Sequence, residues 1–448
     1  MTSVLLIYPY FRPRVDRSQF RFPPLGVLYV AAAARAAGHE VRVLDCTFLR
    51  REEAARLALA DGADVIGISC LSTLEEDCLG LARLLRGRCR LLVAGGPLPT
   101  CDPHRFLGAF DAVVRGEGER TIVELLAAFA AGDDVAGVPG VVTRAGSAAG
   151  QAPPRSFEAD LDALPFPARD LLPNDSYITD GRRRQGAAVT TVMSTRGCPY
   201  ACDFCSNVVF GASYRARSPG DVMDEIEEVL QLGYDRISFA DDVFTLERDR
   251  VAAICAEIER RRLRFAWECL GRVDGFDAGM ARRLRAAGCD RVFFGIESGV
   301  DSVLRLMNKR TTAADARRAV VTAHEAGLQV GAFFILCYPG ETDDTVLETL
   351  RFMTSLPLDY VGLTVPYPLP GTGLYERVGA RTRVQRRGAR LVTRHAVTYA
   401  GSFSPLKMRA ALLKGRLQFE MGRRLGRFAP AALRLFEEPT DALFRRLP

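Results

Sequence analysis

The feature that most constrains this chain is a rhythm. Short β-branched runs alternate with Ala-, Leu- and Arg-rich segments of helical periodicity: SVLLIYP, LGVLYVAAAARAAG, EVRVLD, REEAARLALADG, DVIGIS, LEEDCLGLARLLRG, RLLVAGG and DAVVRGEGERTIVELLAAF. Strands separated by helices return through crossovers rather than tight hairpins, so they pair in parallel and carry helices on their faces. The spacing predicts a doubly wound α/β domain over residues 1–133, with a ligand on the loops at the carboxyl ends of its strands. Those loops contain Tyr8, Ser69, Leu71, Ser72, Gly95, Gly96, Pro97, Gly116, Glu117 and Gly118. Glycine and small residues there let backbone approach a bulky ligand closely.

Residues 134–185 change character. Gly, Pro and Asp rise, as in GVPGVV and DLDALPFPARDLLP, which suggests a linker with one hairpin. From residue 187 the alternation resumes, with strands in AVTTVMS, RISFADD, FAWECLG, RVFFGIES, VGAFFILCYPG and YVGLTVPYPLPGT. Helices are expected at Pro219–Leu232, Leu246–Arg262, Ala278–Gly288, Asp301–Met307, Ala313–Gly327 and Asp343–Ser355. Six such units predict a partial (β/α)6 barrel over 186–375, with its chemistry at the carboxyl ends of the strands. Residues 376–448 read as a short helical carboxyl-terminal region over the cavity mouth. Tyr375, Tyr399, Phe403 and Phe419 are candidates to line that cavity, or plain core.

Composition limits the partners. With 48% hydrophobic and 25% charged residues, the 448-residue chain can build ordinary cores without disulfides. The net charge of +6 gathers in RTRVQRRGARLVTRH and GRRLGRFAPAALRLF. No aromatic residues interleave those arginines as a stacking platform, so they read as solvated helix faces and no nucleic acid partner is expected. There is no apolar run of about twenty residues and no basic start with a cleavage site, so a soluble cytoplasmic protein without a transmembrane segment is expected.

Twelve cysteines in a cytoplasmic chain should be reduced thiols. Nine are scattered and read as small buried hydrophobes. Three are clustered in STRGCPYACDFCS, just past the first strand of the second region: Cys198, Cys202 and Cys205. Structural zinc takes four protein ligands, and none of the four histidines lies near this trio. Three thiolates leave one position open, as suits an iron–sulfur cluster with one iron available to a small molecule. From the spacing alone, a cluster, zinc and coincidence all stay open.

The context narrows this. RGCPYACDFC at the first strand, followed by FADDVFT, GRVDGFD, FFGIESG and ILCYPGET after successive strands, resembles the radical S-adenosylmethionine (SAM) superfamily. FPPLGVLYVAAAARAAGHEVRVLD, GGPLPTCDP and VVRGEGERTIVELL ahead of it look like its cobalamin-binding branch, the class B methyltransferase-like enzymes, over roughly residues 1–375. The resemblance implies that Cys198, Cys202 and Cys205 hold a [4Fe–4S] cluster whose open iron binds SAM. It places Phe204 against adenine, Arg272 and Glu297 or Ser298 at polar groups of SAM, and Asp241 and Asp242 facing the cavity. A strand-end turn and helix cap is the plainer reading of the two aspartates. It also implies that the loops of the first domain hold cobalamin. Many relatives supply a lower axial histidine after the first strand, where this chain has YPYFRPRV. DPHRFLG at Asp102–Gly108 imitates that motif in the wrong place, and Leu98 stands where relatives often carry histidine.

The implied reaction is methylation of an unactivated carbon in a small-molecule substrate, through methylcobalamin and a 5′-deoxyadenosyl radical, with a reducing partner such as flavodoxin or ferredoxin. The Ala- and Arg-rich composition and the family's frequency in specialised metabolism point to antibiotic-type biosynthesis. Cyclisation, ring contraction or rearrangement with the same cofactors is the alternative, and a non-catalytic cobalamin or redox sensor a further one. Methylthiotransferases fit less well, because the chain lacks a second cysteine trio and a basic β-rich tail.

Overall fold

The computed structural model describes residues 1–11, 22–144, 153–379, 382–384, 397–399, 401–425 and 429–448. The chain forms two compact units, residues 1–198 with 207–237, and residues 199–206 with 238–448.

The first unit carries β1 (Ser3–Tyr8), β2 (Glu40–Asp45), β3 (Val65–Ser69), β4 (Leu91–Gly95), β5 (Ala112–Val114) and β6 (Val141–Thr143), in the order β2-β1-β3-β4-β5-β6. The first five are parallel and β6 is antiparallel to β5. The period of two along β1 divides the core. Val4 and Leu6 pack with Val27, Ala31, Ile122 and Leu125 of helices Leu25–Ala36 and Glu119–Ala131. Leu5 and Ile7 pack with Ala54, Ala58, Cys78 and Leu81 of helices Arg51–Asp61 and Glu75–Leu85 on the other face. The strand order reverses direction at β1, so the loops after β1 and β3 flank the crevice of a doubly wound sheet. Residues 134–185, expected as a linker with a hairpin, supply β6 as a single edge strand and the helix Asn174–Gln185. The hairpin is replaced because Val141–Thr143 finds the open edge of β5, and backbone groups there are better paired than solvated.

The second sheet comprises β7 (Val189–Val192), β10 (Arg236–Phe239), β11 (Ala266–Gly271), β12 (Cys289–Glu297), β13 (Gln329–Ile335) and β14 (Tyr360–Thr364), in the order β14-β13-β12-β11-β10-β7. The intervening β8 (Thr195–Arg196) and β9 (Arg215–Ala216) form a separate antiparallel ribbon. The six expected helices are present at Pro219–Gln231, Arg248–Arg260, Ala278–Ala286, Asp301–Leu306, Ala313–Glu325 and Asp343–Thr354. Within the second unit, side chains of one strand lie over glycines of the next. Phe293 occupies the space a Cβ on Gly331 would need, and Phe333 does the same at Gly362. The Phe293 and Phe333 rings stack at 5.6 Å. Trp267 is fully buried and its Nε1 donates to the Ala287 carbonyl at 2.8 Å.

The carboxyl-terminal region is helical as expected, with helices Pro405–Leu425 and Ala429–Arg446, and adds a short antiparallel pair, Thr382–Val384 with Val397–Tyr399. Phe403 is core, whereas Tyr375 and Phe419 are half-buried; the Tyr399 side chain lies outside the described residues. No described helix is long and apolar enough to cross a membrane.

At the carboxyl end of β13 the backbone turns through Cys337, at φ 64°, and Gly340, at φ 97°. Glu341 closes that turn: it is 4% exposed and its carboxylate accepts from the Tyr338 backbone N–H at 2.6 Å. Burial outweighs this hydrogen bond and pushes its carboxyl from the ordinary 4.5 up to about 7. The folded state therefore holds the Glu341 proton more tightly than the unfolded state. The resulting stabilisation is complete below pH 4.5 and is lost as pH rises through 7. Gln at this position keeps the acceptor and cannot ionise. The Glu341→Gln variant should gain about 3 kcal/mol relative to the parent protein between pH 4.5 and pH 8, of order 1.4 kcal/mol per pKa unit, read as the difference in urea-unfolding midpoints. A pH-independent difference would show that Glu341 titrates normally.

Candidate functional site

The trio differs from the seven buried cysteines in access. Cys198 and Cys202 are half-buried and Cys205 is exposed, whereas Cys46, Cys70, Cys78, Cys255, Cys269, Cys289 and Cys337 are buried, and Cys89 and Cys101 intermediate. Burial pushes the Cys46 and Cys255 thiols up to about 12, so these core thiols stay protonated and inert. Unlike these core thiols, the trio is open enough for the thiolates that an iron–sulfur cluster would need. Among the described residues no three His, Cys, Asp or Glu side chains crowd onto a single-ion site. A cubane does not ask for that, since each thiolate goes to a different iron.

Local structure explains how the trio is presented. In the first unit, Gly197 adopts φ 84° because the Ser213 backbone occupies the space of any Cβ. The Cys198 N–H donates to the Gly211 carbonyl at 3.2 Å, and its carbonyl accepts from Asn207 Nδ2 at 2.9 Å. In the second unit, Cys205 N–H donates to the Cys202 carbonyl at 3.1 Å. The residue between them that anchors the loop is Asp203. Its carboxylate accepts from the Tyr338 hydroxyl at 2.5 Å and pairs with Arg377. Its backbone N–H donates to the Met307 carbonyl at 2.9 Å, and its carbonyl accepts from the Leu374 N–H at 2.8 Å.

Four of the expected SAM contacts belong to the second unit, Phe204 on the cysteine loop and Arg272, Glu297 and Ser298 at strand ends, and three of them meet around a residue the sequence reading passed over, Lys309. Glu297 ends β12 at φ 69°, beside a register shift between Gly295 and Glu297. Its carboxylate accepts from Lys309 Nζ at 3.1 Å, with both side chains under 10% exposed. A Cβ on Gly295 would sit 2.6 Å from Glu297 Oε1 and 3.0 Å from Lys309 Nζ, so any larger residue there would displace this ion pair. The Lys309 carbonyl accepts from Arg272 Nη2 at 3.0 Å, and its ammonium lies 5.9 Å from the Phe204 ring centroid. Arg272 also forms a fork with Asp274 at 2.7 and 3.1 Å and stacks 3.5 Å over the Tyr200 ring. The fourth, Ser298, is buried and turned to the fold: its hydroxyl lies 2.9 Å from Thr349 Oγ1 and accepts from the Val300 N–H.

Asp241 is fully buried, while Asp242 is exposed. Desolvation, then the neighbouring Asp241, push the Asp242 carboxyl above its ordinary range.

In the first unit, Tyr8 ends β1 half-buried, and burial followed by Asp45 raises its phenol. Asp45 ends β2 and accepts from the Tyr177 hydroxyl and from Thr47. Ser69, Leu71 and Ser72 are half-buried around Cys70, whose backbone lies 3.0 Å from where a Cβ on Gly96 would be. Gly96 holds φ 103° before Pro97, and Thr100 Oγ1 ties the two glycine loops by donating to Gly96 O at 2.8 Å and accepting from Gly116 N–H at 3.0 Å. At Gly95 a Cβ would meet nothing within 4 Å, so this strand end opens onto space that a bulky ligand can fill. Gly118 fits Val30, and Glu117 is buried with its carboxylate on Arg196 and Arg215. Leu98 is in the core, and His104 of the Asp102–Gly108 imitation is exposed on a 3₁₀ turn that buries Phe106 instead.

Residues 192–353 match the Radical SAM superfamily and residues 12–126 the B12 binding domain. Over 363 residues the chain is 34% identical to an uncharacterized methyltransferase of Pyrococcus horikoshii, covering 79% of this chain and 78% of that one. Over 397 residues it is 28% identical to the anaerobic magnesium-protoporphyrin IX monomethyl ester cyclase of Rubrivivax gelatinosus, covering 85% and 71%. The radical S-adenosylmethionine methyltransferase TsrM of Kitasatospora setae, solved with cobalamin and a [4Fe–4S] cluster, shares the fold at TM-score 0.70 and 21% identity, over 85% of this chain and 75% of its own. This chain belongs to the cobalamin-dependent radical S-adenosylmethionine enzymes of methyltransferase type, whose cofactors are a [4Fe–4S] cluster, S-adenosylmethionine and cobalamin.

Proposed function

We propose that the chain is a C-methyltransferase acting on an unactivated carbon of a small specialised-metabolite intermediate. The observation that carries this reading is the gathering of Phe204, Arg272 and Glu297 about Lys309, next to the loop of Cys202 and Cys205. Together, the three cofactors supply one-electron cleavage of SAM and a carrier for a methyl group.

The chain's own residues then have separable tasks. Cys198, Cys202 and Cys205 hold the cluster by their thiolates. Glu297, paired with Lys309, would accept from vicinal hydroxyls of SAM, and Phe204 would lie against its adenine. Arg272 is held in one rotamer by Asp274, Tyr200 and the Lys309 carbonyl, which lowers the entropy lost on binding an anionic or carbonyl group. Asp242, exposed after β10, would face the cavity, with Asp241 buried behind it. Tyr8, Ser69, Leu71, Ser72, Gly95, Gly96, Pro97 and the Gly116–Gly118 loop would hold cobalamin by backbone approach. A flavodoxin or ferredoxin supplies electrons.

The magnesium-protoporphyrin ester cyclase relative favours a second reading, ring closure with the same cofactors. Product mass separates the two, because methylation adds one methylene unit and ring closure removes hydrogen.

Two outcomes test this reading. Replacing Cys202 by Ala should leave folded protein that lacks iron–sulfur absorbance after anaerobic reconstitution and forms no 5′-deoxyadenosine; an intact cluster spectrum in that variant would refute the ligand set. Glu297→Gln should weaken SAM binding by about tenfold or more, as expected for loss of hydrogen bonds to a charged group worth about 1.5–3 kcal/mol, measured by equilibrium dialysis. Unchanged affinity would remove Glu297 from the SAM site.

A further inference from the structure

Glu117 lies in the loop assigned to cobalamin, yet its carboxylate is taken up inside the first unit. Glu117 Oε1 accepts from Arg196 Nη1 at 3.0 Å and from Arg215 Nη1 at 2.9 Å, and its Oε2 accepts from the Glu158 backbone N–H at 2.8 Å. Arg196 Nη2 donates to Glu119 Oε1 at 2.7 Å. All four side chains are under 10% exposed, with Arg196 at 3%. The Arg196 guanidinium also lies 5.0 Å from the Tyr29 ring and 5.1 Å from the Phe210 ring. Two cations and two anions cancel, so the knot is tolerable without water, but none of its members can be removed alone without leaving a buried charge unanswered.

The position of the knot gives it a second significance. In the β8–β9 ribbon Arg196 stands opposite Arg215, a like-charge pair that would destabilise the ribbon unless carboxylates reach both. Cys198 follows two residues after Arg196 and is hydrogen-bonded to Gly211 and Asn207. The same turn is held from the other side. Arg215 Nη2 donates to the Phe210 carbonyl at 3.1 Å, and the Val209 carbonyl lies 3.9 Å from where a Cβ on Gly116 would be. Contacts therefore run unbroken from Gly116 and Glu117, through Arg196 and Arg215, to the turn that fixes Cys198.

We propose that this knot couples the loading of the two metallocofactors, with Glu117, Arg196 and Arg215 as positioning residues. The inference rests on the functional reading above. A cluster bound at Cys198 orders the 207–211 turn and the ribbon, which fixes both guanidiniums and hence Glu117. The Gly116–Gly118 loop then meets cobalamin already ordered and loses less entropy on binding. By linkage, cobalamin strengthens retention of the cluster by the same factor.

The test is a hydroxocobalamin titration of the full chain, with and without its reconstituted cluster, followed by absorbance. The cluster-loaded protein should bind at least about fivefold more tightly, the lower end of ordinary coupling between sites. The Glu117→Gln/Arg215→Gln double variant, which removes one charge of each sign, should bind equally in both states. Iron release from the parent protein to a chelator, with and without hydroxocobalamin, gives the reciprocal measurement and needs no variant: slower release with cobalamin supports the coupling, and equal release overturns it. Equal affinities in the parent protein, or a double variant that keeps the parent ratio, also overturn it and leave the functional reading standing. Protein that binds no cobalamin in either state overturns the functional reading, and the coupling with it.

Discussion

A buried charge must be answered by its opposite, and around this constraint the candidate site is organised. Arg196 cannot lie at 3% exposure without Glu117 and Glu119, nor can Glu297 and Lys309 be buried apart. Desolvation makes each unpaired partner cost several kcal/mol, so such groups have one permitted arrangement where an apolar contact has many. That selectivity is what a site needs that must hold several groups within hydrogen-bonding tolerance. The apolar cores on the two faces of the first sheet supply the bulk of the stability, and the ion pairs supply the geometry.

The lysines make the point independently. Lysine and arginine together number 60, but only three are lysine: Lys309, Lys407 and Lys414. All three are buried, and each is ion-paired, to Glu297, Asp343 and Asp441 respectively. A composition that puts arginine at nearly every cationic position carries its three ammonium groups only in buried ion pairs. Lys407 and Lys414 fasten the carboxyl-terminal helices within the second unit; Lys309 alone sits among candidate SAM contacts. This scarcity was a signal in the sequence. It would have drawn attention to Lys309 along with Lys407 and Lys414, where motif reading stopped at the glutamate twelve residues before Lys309.

Most of the fold was legible because it depends on periodicity and on local rules. Each of the six helices expected after residue 186 is present, with ends shifted by no more than two residues. The cysteine trio was legible because its spacing is a local property of one loop. What the sequence could not display was pairing at long range. Asp203 reads as an arbitrary residue between two cysteines, yet it meets Tyr338, 135 positions later. Glu117 reads as part of a glycine loop open to ligand, whereas its carboxylate is spent on arginines 79 and 98 positions away. Ser298, which sits beside Glu297 and shares its small-residue context, turns its hydroxyl to Thr349 instead. Glu297 ends β12 in a left-handed conformation and Ser298 lies beyond it, so strand periodicity does not tell where either side chain points.

The backbone at Glu297 carries the argument one step further. A non-glycine residue at φ 69° is uncommon and carries strain unless its surroundings over-determine it. Here the surroundings do: the register slips between Gly295 and Glu297, and Gly295 supplies the room its neighbour's carboxylate needs. An ordinary strand end would have sent the side chain at 297 along the alternation of β12. The left-handed residue turns it out of that alternation and onto Lys309, and the ion pair holds the strained backbone in place. Strain and salt bridge are thus mutually dependent. The bulge between Gly295 and Glu297 fixes the position of this carboxylate at the end of β12.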